Sequence, residues 1–176
     1  MRGDWFDSTG AAWINPSPNM RSLEEATLYP GMGMIETSNV SVGRGTDTPF
    51  EVVGAPWVNA VEMARYLNGR EIAGVRFVPV RFTPAAAVYA HEECGGVNVM
   101  VTDRDALDAP ELGAEVAAAL LALYPDKYKI DGIDTLMINR ASLEALKRGE
   151  DPRRVAEDWR EGIERFEAIR AKYLIY

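Results

Sequence analysis

The chain has 176 residues, of which 47% are hydrophobic and 26% charged, as expected for a single globular domain over residues 1–176. Its net charge of −8 argues against nucleic acid or an anionic membrane as the main partner. No apolar run approaches the roughly 20 residues of a membrane-spanning helix, and the N-terminus lacks the pattern of a signal peptide. With one histidine and one cysteine, an intrachain disulfide is excluded and a histidine-based metal site is disfavoured.

The first third of the chain predicts short elements around a long polar loop. Residues 22–25 have the spacing of a capping box, and Pro30 predicts that the helix ends just before it. Residues 32–37 then predict a strand that leads into the loop. A second capping-box spacing, over residues 48–51, predicts one or two helical turns that end near Gly54.

The middle of the chain predicts one helix and two strands. Apolar residues recur at helical spacing over 58–68, and residues 74–82 alternate as a strand does. Pro79 within that strand indicates an edge position or a bulge, because proline lacks the N–H that an interior strand donates. Residues 97–104 are the best candidate for a central strand.

The C-terminal half predicts helices. Residues 112–124 are apolar almost all round, which indicates a buried helix. A shorter helix follows over 138–148, and Pro152 starts the last one. Its apolar face comprises Val155, Trp159, Ile163, Phe166 and Tyr173. Taken together, the pattern predicts an α+β domain with a mixed β-sheet flanked by helices and with long C-terminal helices.

Residues 31–57 carry the candidate chemistry, because glycines there separate carboxylates, amides, hydroxyls and one arginine without an amphipathic period. Glu36 has two interpretations: a carboxyl group that acts on or binds a ligand, or an ion pair with Arg44. Arg44 lies between two glycines, so its guanidinium is either accessible to a ligand carboxylate or bound to its own loop. A phosphate loop is disfavoured because no lysine follows the glycines.

Other polar residues of this block have equally simple structural interpretations. Asn39 and Thr46 either line a polar pocket or form turns through side-chain-to-backbone hydrogen bonds. Glu51 fits a helix cap better than a catalytic acid. Trp57 is interpreted as a buried anchor rather than a sugar platform, and His91 as a surface residue.

Several stretches resemble one known family. They are NPSPNM (15–20), LYPGMGMIETSNVSVGRGTDTPFEVVGAPW (28–57), GVRFVPVRFTP, GVNVMVTDR and the R-x-K-Y-L-I-Y tail. Together they resemble the C-terminal domain of the NamZ family of peptidoglycan exo-β-N-acetylmuramidases. The resemblance extends along nearly the whole chain.

The resemblance implies a two-domain glycoside hydrolase with a Rossmann-like N-terminal domain, which this chain does not include, and a cleft between the domains. It implies release of N-acetylmuramic acid from non-reducing ends of glycan strands outside the cytoplasm, with no cofactor. On this basis Glu36, Asn39, Arg44 and Thr46 are expected to contact substrate. The catalytic acid is unassigned, with Glu36 the best candidate in this chain. The alternative is a non-catalytic glycan-binding or structural domain.

Overall fold

Three strands form an antiparallel sheet in the computed structural model, which describes residues 3–175. β1 (Val52–Ala55), β2 (Val75–Phe82) and β3 (Cys94–Val101) lie in the order β1-β3-β2. The predictions of a central strand near 97–104 and of an edge strand containing Pro79 are therefore confirmed.

The predicted α+β class is confirmed, but the sheet is antiparallel throughout the described chain rather than mixed. The intervening helix lets β1 and β2 run in the same direction, as a crossover connection does. However, β3 lies between them and runs opposite to both, so no parallel neighbours result. Val52 of β1 pairs with Asn98 of β3, and Val75 of β2 pairs with Val101 of β3.

The described chain also contains helices, which make up most of its C-terminal half. They are α1 (Leu23–Met32), α2 (Ala60–Gly69), α3 (Ala109–Leu123), α4 (Asp134–Met137), α5 (Arg140–Lys147), α6 (Pro152–Glu157) and α7 (Arg160–Arg170). Across residues 3–175, none of the helices has the length and apolar character needed to cross a membrane.

The centre of the core is α3, which confirms its predicted burial. Leu112, Val116 and Leu120 are fully buried, and the helix packs against α1, α2, α5 and α6. Its contact with α1 is close because two glycines meet there. A Cβ atom on Gly31 would lie 1.9 Å from the Ala109 carbonyl oxygen, so a side chain at that position would force the two helices apart.

The first helix departs from its prediction at the C-terminal end. The Ser22–Glu25 capping box is present, but α1 continues through Pro30 to Met32. Proline removes one hydrogen bond in the last turn, whereas the close packing of this turn against α3 keeps it helical. Residues 33–37 consequently form turns, and the predicted strand over 32–37 is wrong.

Two further predictions were wrong. Residues 48–51 form turns rather than a helix, because Phe50 adopts φ +64° and the chain then enters β1 at Val52. The last helix is interrupted between α6 and α7, where the Trp159 indole N–H donates to the Ser142 hydroxyl at 2.7 Å. This bond anchors the junction to α5, and α7 continues beyond it without a single buried residue.

Candidate functional site

The polar loop between α1 and β1 is shaped by backbone contacts. Ser41 and Gly54 exchange two backbone hydrogen bonds, of 2.8 and 3.0 Å, which fasten the loop to β1. Gly43 and Gly45 have φ values of +78° and +84°, a region that glycine enters without steric cost. The chain therefore turns on both sides of Arg44.

Glu36 and Arg44 form an ion pair in which two guanidinium nitrogens face the two carboxylate oxygens. Nη2 donates to Oε2 at 3.0 Å, and Nε contacts Oε1. The Arg44 guanidinium also lies 5.1 Å from the centre of the Phe50 ring, within cation–π range. The exposed fractions of the two side chains are 25% for Glu36 and 32% for Arg44. The ion-pair interpretation of Glu36 is thus realised, and contact with substrate stays a prediction.

Both the nitrogen and the oxygen of the Asn39 side-chain amide form hydrogen bonds within the protein. Its Nδ2 donates to the Lys127 carbonyl at 2.9 Å, and its Oδ1 accepts from the Lys129 N–H at 2.6 Å. Its own carbonyl accepts from the Tyr89 hydroxyl at 3.0 Å. Asn39 therefore joins three distant loops, and nothing in these contacts reserves its amide for a ligand.

Thr46 has a similar structural role. Its hydroxyl donates to the Gly43 carbonyl at 2.7 Å and accepts from the Thr48 N–H at 3.1 Å, which closes the turn around Arg44. The Arg21 guanidinium donates to the Thr46 carbonyl from outside the loop. Of the four predicted site residues, the structure brings Glu36 and Arg44 together, while Asn39 and Thr46 brace the loop that carries them.

Glu51 is not a helix cap, contrary to its prediction. It precedes β1, and burial raises the pKa of its carboxyl group, helped by the nearby charges of Glu24 and Glu25. Its surroundings belong to the start of α1 rather than to the Arg44 turn. Trp57 was expected to be a buried anchor and is half-buried: it packs against the core and its indole N–H donates to the Tyr89 hydroxyl at 3.1 Å. His91 is exposed, as expected.

An aromatic contact beside Arg44 was not predicted. The rings of Tyr29 and Phe50 meet edge to face with centres 4.8 Å apart, and the Phe50 ring is also the one that faces the guanidinium. Tyr29 also lines a groove of about 390 Å³ together with Met34, Leu136 and Trp159. We call this cavity the Trp159 groove. No sequence motif could reveal it, because its walls come from separate segments around Tyr29, Pro110, Leu136 and Trp159.

Within the described residues, neither a reactive cysteine nor a group of metal ligands contributes to this site. Burial raises the pKa of the Cys94 thiol to about 11, so the reactive thiolate is scarce at neutral pH. Over residues 3–175, no three His, Cys, Asp or Glu side chains are grouped in a way that could hold a metal ion.

The fold and the loop define an α+β domain with an arginine held by an ion pair and, on the described surface, an apolar groove lined by Tyr29. A family model described as "Exo-beta-N-acetylmuramidase NamZ, C-terminal" matches residues 27–176. The chain therefore belongs to the NamZ family, to which it is related through that family's C-terminal part.

Similar proteins are about twice as long. The chain is 34% identical over 174 residues to the peptidoglycan β-N-acetylmuramidase NamZ of Bacillus subtilis (strain 168), a match that covers 97% of this chain and 42% of that protein.

Two crystal structures of DUF1343 family proteins from Bacteroides fragilis NCTC 9343 have similar folds. One is 27% identical with a TM-score of 0.77, covering 99% of this chain and 48% of that one. The other, 24% identical with a TM-score of 0.68, covers 93% and 44% and shows likeness of fold alone.

Proposed function

We propose that this chain forms one wall of the active-site cleft of a peptidoglycan exo-β-N-acetylmuramidase. The other wall is the N-terminal part that its longer relatives carry. The proposal depends mainly on Arg44, whose guanidinium is held between a carboxylate and an aromatic ring while about a third of the side chain stays exposed. A cation fixed in this way loses little freedom when an anionic ligand binds it.

Arg44 meets the lactyl carboxylate of N-acetylmuramic acid in this proposal. That group is the one charge separating this sugar from N-acetylglucosamine. Glu36 acts as a positioning residue, because its two carboxylate oxygens contact Nε and Nη2 of Arg44. The third guanidinium nitrogen, Nη1, is the one that meets the ligand in this proposal. A planar guanidinium can serve two carboxylates from different edges, whereas a lysine ammonium offers no such fork.

The catalytic acid belongs to the N-terminal part, and Glu36 does not supply it. Within this chain the Glu36 carboxylate is already engaged by Arg44, which suits it to orient a guanidinium better than to donate a proton. We therefore expect the isolated chain to show no turnover of a chromogenic N-acetylmuramic acid glycoside. Turnover at a rate typical of enzymes would overturn this assignment. Because the substrate is a cell-wall glycan, we place the activity outside the cytoplasm.

Arg44→Lys tests the role of the guanidinium in a protein that joins this chain to the N-terminal part of a longer relative, which we call the longer protein. Binding of N-acetylmuramic acid should weaken by about 1.5–3 kcal/mol, the range for a hydrogen bond to a charged group. Binding of N-acetylglucosamine should hardly change, and the free energy of unfolding should fall by at most about 1 kcal/mol, because the pair with Glu36 is partly exposed. The measurement is ligand titration beside urea unfolding.

Arg21→Lys is the matched control, because Arg21 braces the same loop through the Thr46 carbonyl. It should leave the preference between the two sugars unchanged. If Arg44→Lys lowers stability by more than about 1 kcal/mol and keeps the sugar preference, then Arg44 is a structural support of its loop, and the proposed function fails at this residue.

A non-catalytic glycan-binding or structural domain is the second candidate. It is favoured by Asn39 and Thr46, whose polar side-chain groups are bonded within the protein. In that case the Arg44→Lys variant of the longer protein should retain full hydrolytic activity, and the isolated chain should bind muropeptides weakly without cleaving them.

A further inference from the structure

Helix α7 presents an apolar face that no part of the described chain covers. Ile163, Phe166 and Ile169 recur every three residues along α7, which places them on one side of the helix, and Tyr173 follows four residues later in the 3-10 turn that continues the helix. Their exposed fractions are 52%, 59%, 54% and 77%. We call these four residues the α7 stripe.

An amphipathic helix of this length needs a partner. Isolated helices shorter than about 12–15 residues are marginal in water, and most helical stability in proteins comes from packing of the apolar face. α7 has 11 residues, none of them buried. Its remaining surface carries charged pairs such as Arg165 and Glu161, 2.9 Å apart, as a solvent-facing side does.

The α7 stripe adjoins the Trp159 groove. Trp159 lines that groove and precedes Ile163 by four residues, one helical turn. Leu136, which also lines the groove, is 47% exposed. The groove and the stripe together form a longer apolar surface of the kind that marks a protein interface.

We infer that this surface is the docking site for the N-terminal part that the longer relatives carry. The solved relative with a TM-score of 0.77 matches 99% of this chain, α7 included, yet this chain accounts for only 48% of its length. The family match is to a C-terminal part, so the additional polypeptide of the relatives precedes this domain. A second copy is a poorer occupant, because two chains of net charge −8 repel each other.

This inference shares one premise with the proposed function, namely that the N-terminal part packs against this domain. It does not depend on Arg44 or on catalysis. Burying the α7 stripe in the interface fixes the two walls of a cleft relative to each other, because a continuous apolar contact resists the domain motions that small polar interfaces permit.

Phe166→Glu, made in this chain joined to the N-terminal part of a longer relative, tests the inference, and Ala168→Glu is the matched control. Both positions are exposed on the same helix, but Ala168 lies away from the α7 stripe. Phe166→Glu should speed limited proteolysis between the two parts at least tenfold and split one thermal unfolding transition into two. Ala168→Glu should do neither. In the isolated 176-residue chain, neither variant should shift the unfolding midpoint.

Three outcomes would overturn the inference. The first is unchanged proteolysis of the Phe166→Glu longer protein. The second is an equal loss of stability in the isolated chain, which would mean that α7 packs on its own domain. The third is sedimentation of the isolated chain as a dimer that Phe166→Glu dissociates. A longer protein that lacks hydrolase activity but shows the expected proteolysis would refute the proposed function and leave this inference intact.

Discussion

The buried carboxylate of Glu115 makes Arg70→Met the most informative test of how the helices are held together. Arg70 follows α2 and donates Nε and Nη2 to the two Glu115 oxygens, both at 2.8 Å. Nη2 also donates to Asp151, the N-cap residue of α6, at 2.9 Å. The Glu115 side chain is 1% exposed, so water cannot replace a lost partner.

Removing one partner of a buried ion pair costs about 3–5 kcal/mol, because the remaining charge stays buried without compensation. We expect Arg70→Met to fall near the lower end of that range. The Arg153 Nε remains 3.5 Å from a Glu115 oxygen and retains part of the attraction. The lost contact with Asp151, a half-exposed residue, adds at most about 1 kcal/mol.

Urea unfolding of three variants measures this effect. Arg70→Met alone should lose the stability stated above, and Arg70→Met combined with Glu115→Leu should recover most of it, since apolar groups of similar volume often replace buried pairs at little cost. Arg81→Met, which breaks the exposed pair with Glu93, should cost less than about 1 kcal/mol. A loss below about 1 kcal/mol for Arg70→Met, or no recovery in the double variant, would refute the reasoning.

Two further predictions concern the core and the effect of pH. Leu120→Ala should cost about 2–5 kcal/mol in urea unfolding because Leu120 is fully buried in α3, and a loss below about 0.5 kcal/mol would contradict that placement. Glu51→Gln should raise stability at pH 7. Burial, and next the charges of Glu24 and Glu25, raise the pKa of the Glu51 carboxyl group above its ordinary value of 4.5. The unsubstituted protein therefore loses stability as the pH rises from 4.5 through the pKa that Glu51 has in the folded state. The gain should disappear below pH 4.5, and a gain of equal size at pH 4 would show that titration is not its cause.

Part of the candidate site could be predicted from the sequence because its signals are local. Glycines on both sides of Arg44 indicate a sharp turn whatever surrounds them, and that turn is present. The same block, with its neighbours, was enough to indicate the NamZ family before the fold was known. The partners of Arg44 were only partly predictable: Glu36 was one of two open interpretations, whereas the Phe50 ring reaches the guanidinium through a backbone conformation with φ +64°.

The residue pattern alone was sufficient to predict the elements whose stability is local. The Ser22 capping box, the alternation along β2 and the long apolar run of α3 each require only nearby residues, and all three were predicted. Tertiary structure decided the rest. β3 enters between β1 and β2 and makes the sheet antiparallel, and packing of Gly31 against α3 carries α1 through Pro30. Such outcomes depend on contacts between segments far apart in the chain, and periodicity within one segment carries no information about them.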